Sequence, residues 1–193
     1  MTIDQLVTFH NYNIDVTTKT ITLTGEVNDE MADTALKNLH ILNQSNGKIT
    51  IYLNTEGGDL SSGKVIYDAI RYSSNVIRIV CFSNVMSCGT LILMAGDERI
   101  MMPNSLLMLH SGNEGLGQEH PRNIDKAYEN LRRDEAFIES VYLDRMNEKL
   151  RADKKKLLTS KSIRDLITWD TYLSPEDALK LGLITSIGYR LGE

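Results

Sequence analysis

Two side chains carry the chemistry this sequence offers most plainly. Ser87 stands in Val85-Met86-Ser87-Cys88-Gly89, directly before the apolar run Leu91-Ile92-Leu93-Met94. His110 ends Leu106-Leu107-Met108-Leu109-His110, a strand-like run that delivers an imidazole to its tip. A serine hydroxyl is a poor nucleophile at neutral pH until a base accepts its proton and a third group orients that base. Ser87 to Met94 reads as a short buried helix, and first-turn N–H groups of a helix stabilise a developing oxyanion. The Cys88 N–H is one donor of that kind. The Gly57-Gly58 turn offers another, because glycine lets backbone approach a substrate closely. Together these residues favour a serine hydrolase.

Each of these residues has a plainer reading. Serine often caps a helix, Gly57-Gly58 is an ordinary turn pair, and a half-buried histidine is more often structural than catalytic. His110 has three competitors. His40 lies in an amphipathic helix, His10 in a loose N-terminal segment, and His120 in a polar loop. The orienting acid stays open on residue grounds, since 26 acidic residues include Asp165, Asp170, Glu176 and Asp177. The hydrolase elbow Gly-x-Ser-x-Gly is not met, because Val85 stands at the first glycine.

The elements around these residues alternate. Thr20 to Leu23 reads as a strand closed by Gly25, and Asn28 or Asp29 caps a helix with the apolar face Met31, Ala35, Leu39 and Leu42. Ile49 to Leu53 is a second strand. After the turn Asn54-Thr55-Glu56-Gly57-Gly58, Asp59 or Ser61 starts a helix carrying Val65, Ile66, Ala69 and Ile70. Val76 to Phe82, Ile100 to Met102 and Leu106 to Leu109 are further strands. This β-α-β alternation predicts an α/β fold with a largely parallel sheet and right-handed crossovers. Sites in such sheets gather at the carboxyl ends of strands, where Gly57-Gly58, Ser87 and His110 all fall. A glycine-rich polar stretch covers 111–120, and a long helix begins near Pro121 with the stripe Ile124, Ala127/Tyr128, Leu131, Ile138, Val141/Tyr142 and Met146. Ser174-Pro175-Glu176-Asp177 starts a last helix that Gly182 closes, and Leu183-Ile184 reads as a final strand.

Composition narrows the class. The chain has 193 residues, 41% hydrophobic and 24% charged, ordinary values for a globular protein with its own core. A net charge of −5 gives no reason to expect nucleic acid. Cys81 and Cys88 form no metal-ligand pattern and fit reduced thiols in a cytoplasm. Neither a signal peptide nor a bilayer-spanning run is read, and no cofactor motif is found.

Taken in order, five segments resemble the proteolytic subunit family of the Clp protease. Leu23 to Ala32 is similar to its early strand and first helix, and Asn54-Thr55-Glu56-Gly57-Gly58 to its Asn-Ser-Pro-Gly-Gly turn. Met86-Ser87-Cys88-Gly89 resembles its Ala-Ser-Met-Gly nucleophile motif. Met102-Pro103-Asn104-Ser105 with Met108-Leu109-His110 resembles Leu-Pro-Asn-Ser and Met-Ile-His, and Asp170 to Ser174 resembles Asp-Arg-Phe-Leu-Ser. The resemblance implies Ser87 as nucleophile, His110 as general base and acid, Asp170 as orienting carboxylate, and Gly58 and Cys88 as oxyanion-hole donors. It implies a ClpP/crotonase-type α/β fold in one domain spanning 1–193. Its divisions would be a divergent segment 1–18, a head of 19–110 and 151–193, and a strand-helix handle of 111–150. It further implies seven-membered rings of this chain stacked in pairs, a Clp-type ATPase feeding unfolded polypeptide into an enclosed chamber, and a cytoplasmic location. Several positions depart from the pattern: Thr50 replaces an aromatic, Glu56 a proline, Ser111-Gly112 a Gln-Pro pair, and Trp169 the arginine before the acid. Three alternatives share a related architecture: a non-catalytic ring subunit, a crotonase-type acyl-CoA enzyme, which needs no Ser-His-Asp set, and a membrane-associated signal-peptide peptidase, which the lack of a membrane segment disfavours.

Overall fold

The structure, a computed structural model, describes residues 2–111 and 124–191. Its frame is a sheet in which β2 (Thr20–Thr24), β3 (Ile49–Thr55), β4 (Ile77–Met86) and β5 (Glu98–Met101) lie side by side and parallel. The alternating or fully apolar runs of these strands leave Ile21, Leu23, Ile49, Ile51, Leu53, Ile77, Ile79 and Cys81 buried, as expected where helices cover a parallel sheet. β1 (Ile14–Asp15) adds antiparallel to β2, and β8 (Ser186–Ile187) adds parallel to β5.

The crossovers are α2 (Asp29–Leu42), α3 (Leu60–Arg71) and α4 (Cys88–Ala95). Of the capping alternatives, Asn28 and Asp59 do the work: Asn28 accepts from the Met31 N–H at 3.0 Å and Asp59 from the Ser62 N–H at 2.7 Å. All eight residues of α4 are buried, which makes it the central helix of the core. Its far end is held by two buried arginines. Arg145, from α5 (Ile124–Ala152), donates to the Met94 and Gly96 carbonyls at 2.9 and 2.6 Å. Arg99 donates to the carbonyls of Gly96, Gly182 and Leu183 at 3.2, 3.3 and 2.8 Å, and burial lowers its pKa to about 10. These cations cover the negative end of the α4 dipole and satisfy carbonyls that the helix itself cannot.

One strand departs from regular geometry in a way that shapes everything around it. Between β3 and β4 the register slips, Leu53 facing Cys81 but Thr55 facing Val85, with Ser83 at a positive φ of 52°. This bulge divides β4. Its first half, Arg78 to Cys81, pairs with β5, whereas Asn84 to Met86 pair in parallel with β6 (Leu106–Leu109). β7 (Thr171–Leu173) then lies antiparallel on β6.

Some sequence expectations shift. The N-terminal residues read as loose form α1 (Ile3–Tyr12), started by a Thr2/Gln5 capping box and ended by Asn13 in the left-handed region, so His10 is helical. The last strand is Ser186–Ile187 and not Leu183-Ile184. The Leu183 N–H bonds the Ala178 carbonyl at 2.9 Å and its own carbonyl serves Arg99, so neither is free for a ladder. The long helix buries only its second half, Ile138 to Leu150, and Tyr128 is exposed. The polar stretch 112–120, His120 and the Pro121 start lie outside the described residues. α6 (Ser160–Ile167) and α7 (Pro175–Leu181) complete the chain. Among the described residues no helix is long and apolar enough to cross a membrane.

Removing the Arg99 guanidinium would strand buried carbonyls on three segments at once. Arg99→Met is expected to lower unfolding free energy in urea by about 3 kcal/mol, read as a shift of midpoint without a change of slope.

Candidate active site

The divided strand brings the candidate residues together by register. Met86 pairs with Met108, and the Ser87 N–H donates to the Met108 carbonyl at 2.9 Å, so the ends of β4 and β6 emerge side by side. Leu109 pairs with Thr171 across β6 and β7, which sets Asp170 beside His110 one step further out. The Ser111 N–H donates to the Ile167 carbonyl at 2.7 Å and Thr171 Oγ1 to the Leu166 carbonyl at 2.7 Å; both tie the site to the end of α6.

Ser87 sits at φ 53° and ψ −129°, a conformation costly for any residue with a Cβ. It precedes α4 as its N-cap, yet its side chain makes no capping bond. Its Oγ lies instead 2.7 Å from His110 Nε2. The plain reading, in which the Ser87 hydroxyl serves only to cap the helix, is thus excluded. The missing elbow glycine has a structural answer too. In place of a glycine before the serine, Gly57 from the facing turn supplies the room: a Cβ there would stand 2.6 Å from the Ser87 Cβ and 2.9 Å from the Met86 carbonyl oxygen. Gly57 also has φ 98°, and its N–H is held by Thr55 Oγ1 at 3.0 Å.

His110 is largely buried and Asp170 is 53% exposed. Their approach, Nδ1 to Oδ1, is 3.4 Å, close enough for ionic attraction to an imidazolium. It does not have hydrogen-bond geometry, and Nδ1 is the one buried side-chain polar atom among the described residues without a bonding partner. The two side chains are thus adjacent without being hydrogen-bonded. The other open acids are elsewhere. Asp177 bonds Lys180 and Ser174, which hold its carboxyl below the usual range, and Asp165 on α6 and Glu176 on α7 are exposed.

Gly58 is held at φ 145° against Val27: the Val27 N–H donates to the Gly57 carbonyl and the Asp59 N–H to the Val27 carbonyl, each at 2.8 Å. That bridge engages the groups flanking Gly58. The Cys88 N–H belongs to the first turn of α4, where helices lack internal acceptors. Both residues border a cavity of about 250 Å³ together with Ser87 and His110. Its apolar wall is Leu60, Leu91, Leu131 and Ile138. The Cys88 thiol turns to the Gly58 carbonyl at 3.5 Å, and burial pushes its pKa up to about 11, so it stays protonated and is no rival nucleophile. Among the described residues no cluster of His, Cys, Asp or Glu could hold a metal ion.

A second layer supports Ser87 that its flanking motif does not announce. Thr90 Oγ1 donates to the Ser87 carbonyl at 2.7 Å and bonds the buried Tyr142 hydroxyl. A threonine three places after the serine and a tyrosine on the buried stripe were the available signals: buried hydroxyls need partners.

Residues 5–190 match the model of the Clp protease family. An ATP-dependent Clp protease proteolytic subunit of Deinococcus radiodurans is 32% identical over 167 residues, covering 83% of this chain and 76% of the relative. One from Borreliella afzelii is 34% identical over 172 residues, covering 86% and 81%. A ClpP1 point mutant from Listeria monocytogenes has a similar structure, with a TM-score of 0.76 at 25% identity, covering 91% of this chain and 94% of that one.

The Ser87 conformation can be weighed directly. Ser87→Gly and Ser87→Ala both remove the hydroxyl, but only glycine relieves the backbone. The relief, about 2 kcal/mol, exceeds the entropy that glycine costs, about 1 kcal/mol, so Ser87→Gly is expected to unfold at higher urea than Ser87→Ala.

Proposed function

Since the chain belongs to the Clp protease family of serine peptidases, we propose that Ser87, His110 and Asp170 are its catalytic triad and that it cleaves peptide bonds of unfolded polypeptides. The observation that carries this reading is the 2.7 Å contact between Ser87 Oγ and His110 Nε2, made by a serine held in a strained turn at the head of a buried helix. The same contact weighs against a non-catalytic ring subunit. It also weighs against an acyl-CoA enzyme of related fold, whose chemistry would not need it.

In this mechanism His110 Nε2 takes the Ser87 proton as Oγ attacks the scissile carbonyl. The carbonyl oxygen, now an oxyanion, moves between the N–H groups of Gly58 and Cys88. His110 then protonates the leaving amine and the ester of Ser87 remains. Water enters, His110 removes its proton, and the second tetrahedral species collapses to acid and free serine. Asp170 steadies the imidazolium in each half. Closing the 3.4 Å gap to a hydrogen bond needs only a small shift of an exposed side chain beside a short strand. The apolar wall of Leu60, Leu91, Leu131 and Ile138 suits an aliphatic or aromatic substrate side chain next to the cut.

The reading extends to assembly. The chain forms seven-membered rings stacked in pairs through the 111–150 handle, with the sites facing an enclosed chamber in the cytoplasm, and a Clp-type ATPase supplies the polypeptide. Trp169, 79% exposed beside Asp170, belongs in that scheme to a contact between copies.

Three measurements test the proposal. A fluorophosphonate is expected to label the assembled protein on Ser87 and to leave Ser87→Ala unlabelled; an unlabelled wild-type protein in every oligomeric state would remove the hydrolase reading. Asp170→Asn is expected to lower peptide kcat at least roughly 100-fold, whereas Asp165→Asn leaves it near wild type. Equal effects would detach Asp170 from the triad. Solution mass and peptidase activity across the same fractions should coincide at the mass of a ring.

A further inference from the structure

We propose that Thr90 and Tyr142 are positioning residues that aim the Cys88 N–H into the oxyanion hole, a role that rests on Ser87 being the nucleophile. The Ser87 carbonyl accepts twice, both times from Thr90: from its N–H at 2.9 Å and from its Oγ1 at 2.7 Å. A carbonyl can only accept, so the Thr90 hydroxyl proton points at Ser87. The bond between Thr90 and Tyr142 must then take its proton from the tyrosine, and the order of donation is Tyr142 to Thr90 to Ser87.

The peptide plane converts this into catalysis. The Ser87 C=O and the Cys88 N–H are the two ends of one trans peptide unit and point in opposite directions. Whatever fixes the carbonyl fixes the N–H. An unanchored carbonyl would let a residue at φ 53° relax, turning the N–H away from the cavity that Cys88 borders. Thr90 and Tyr142 are 0% and 1% exposed, so water cannot replace either bond. Tyr142 comes from α5 and is among the residues that border the cavity. The aim of the donor is therefore set by a helix that contributes neither nucleophile, base nor acid.

The test uses the full chain with a short fluorogenic peptide, a peptide aldehyde and the fluorophosphonate. Thr90→Val keeps the shape and the N–H bond but deletes the hydroxyl donor, leaving the Ser87 carbonyl one anchor instead of two. Its kcat is expected to fall roughly tenfold or more with KM nearly unchanged, and its affinity for the aldehyde, whose hemiacetal oxyanion occupies the hole, to fall by the same factor. Thr90→Ser should recover most of the rate. Tyr142→Phe should lie between. Thr90→Val also leaves the Tyr142 hydroxyl buried without a partner, so stability falls with it. The double variant Thr90→Val/Tyr142→Phe removes both hydroxyls; its unfolding midpoint should recover toward wild type while kcat stays as low as in Thr90→Val. A double variant that regains rate together with stability would make the pair mere packing and overturn the proposal. So would Thr90→Val with wild-type kcat and aldehyde affinity. Failure of the wild type to label at Ser87 would overturn the nucleophile reading and this one with it, whereas a labelled wild type with a fast Thr90→Val overturns this one alone.

Discussion

The ladder of β4 is the constraint on which the rest of the molecule depends. A regular parallel strand serves one neighbour on each side along its whole length. β4 instead changes neighbour at the bulge near Ser83, giving its first half to β5 and its second to β6. Because the slip lets Thr55 meet Val85, the Gly57-Gly58 turn ends up against Ser87. Because Met86 meets Met108, His110 ends up at the serine hydroxyl. Extra residues in a strand bend it and redirect the chain beyond them, and here the bend aims a serine, a glycine turn and an imidazole at one point.

Packing sustains a backbone that local preference opposes. Ser87 would not adopt φ 53° by itself, and no cap bond rewards it for doing so. Its N–H is held by Met108 and its carbonyl by Thr90, while Gly57 leaves it room. Beneath it α4 is buried on every side and clamped at its far end by Arg99 and Arg145. Cooperative burial of this kind over-determines one strained residue, which is how folded proteins keep such conformations.

The sequence showed most of this frame and less of its joints. Strands β2, β3 and β6 and helices α2, α3 and α7 announce themselves through apolar periodicity and capping residues, and Ser87, Gly58 and His110 stand out as residues just past strands. β4 looked shorter than it is because Ser83-Asn84 interrupts its apolar run while the ladder continues past them. β7 has three residues and α6 a narrow apolar face of Ile163 and Ile167, too little pattern to declare themselves. Asp170 was one acid among many on residue grounds, since its nearness to His110 depends on the antiparallel register of β6 with β7, and spacing along the chain does not carry that. The resemblance singled it out by motif. Thr90 and Tyr142 belong to a hydrogen-bonded layer that only coordinates reveal.

Asp170 stands on different ground from Ser87 and His110. Ser87 and His110 directly follow the buried ladder of β4 and β6. Asp170 precedes a three-residue strand that among the described residues pairs on one side only, and it lies between the exposed aromatics Trp169 and Tyr172. In evolutionary terms the two halves of the site are unequally free. Within a single copy, mutation around Asp170 explores solvent-facing positions at small cost to the fold, so descendants of such a chain can drift in the tightness of the His110–Asp170 contact while Ser87 beneath it stays fixed.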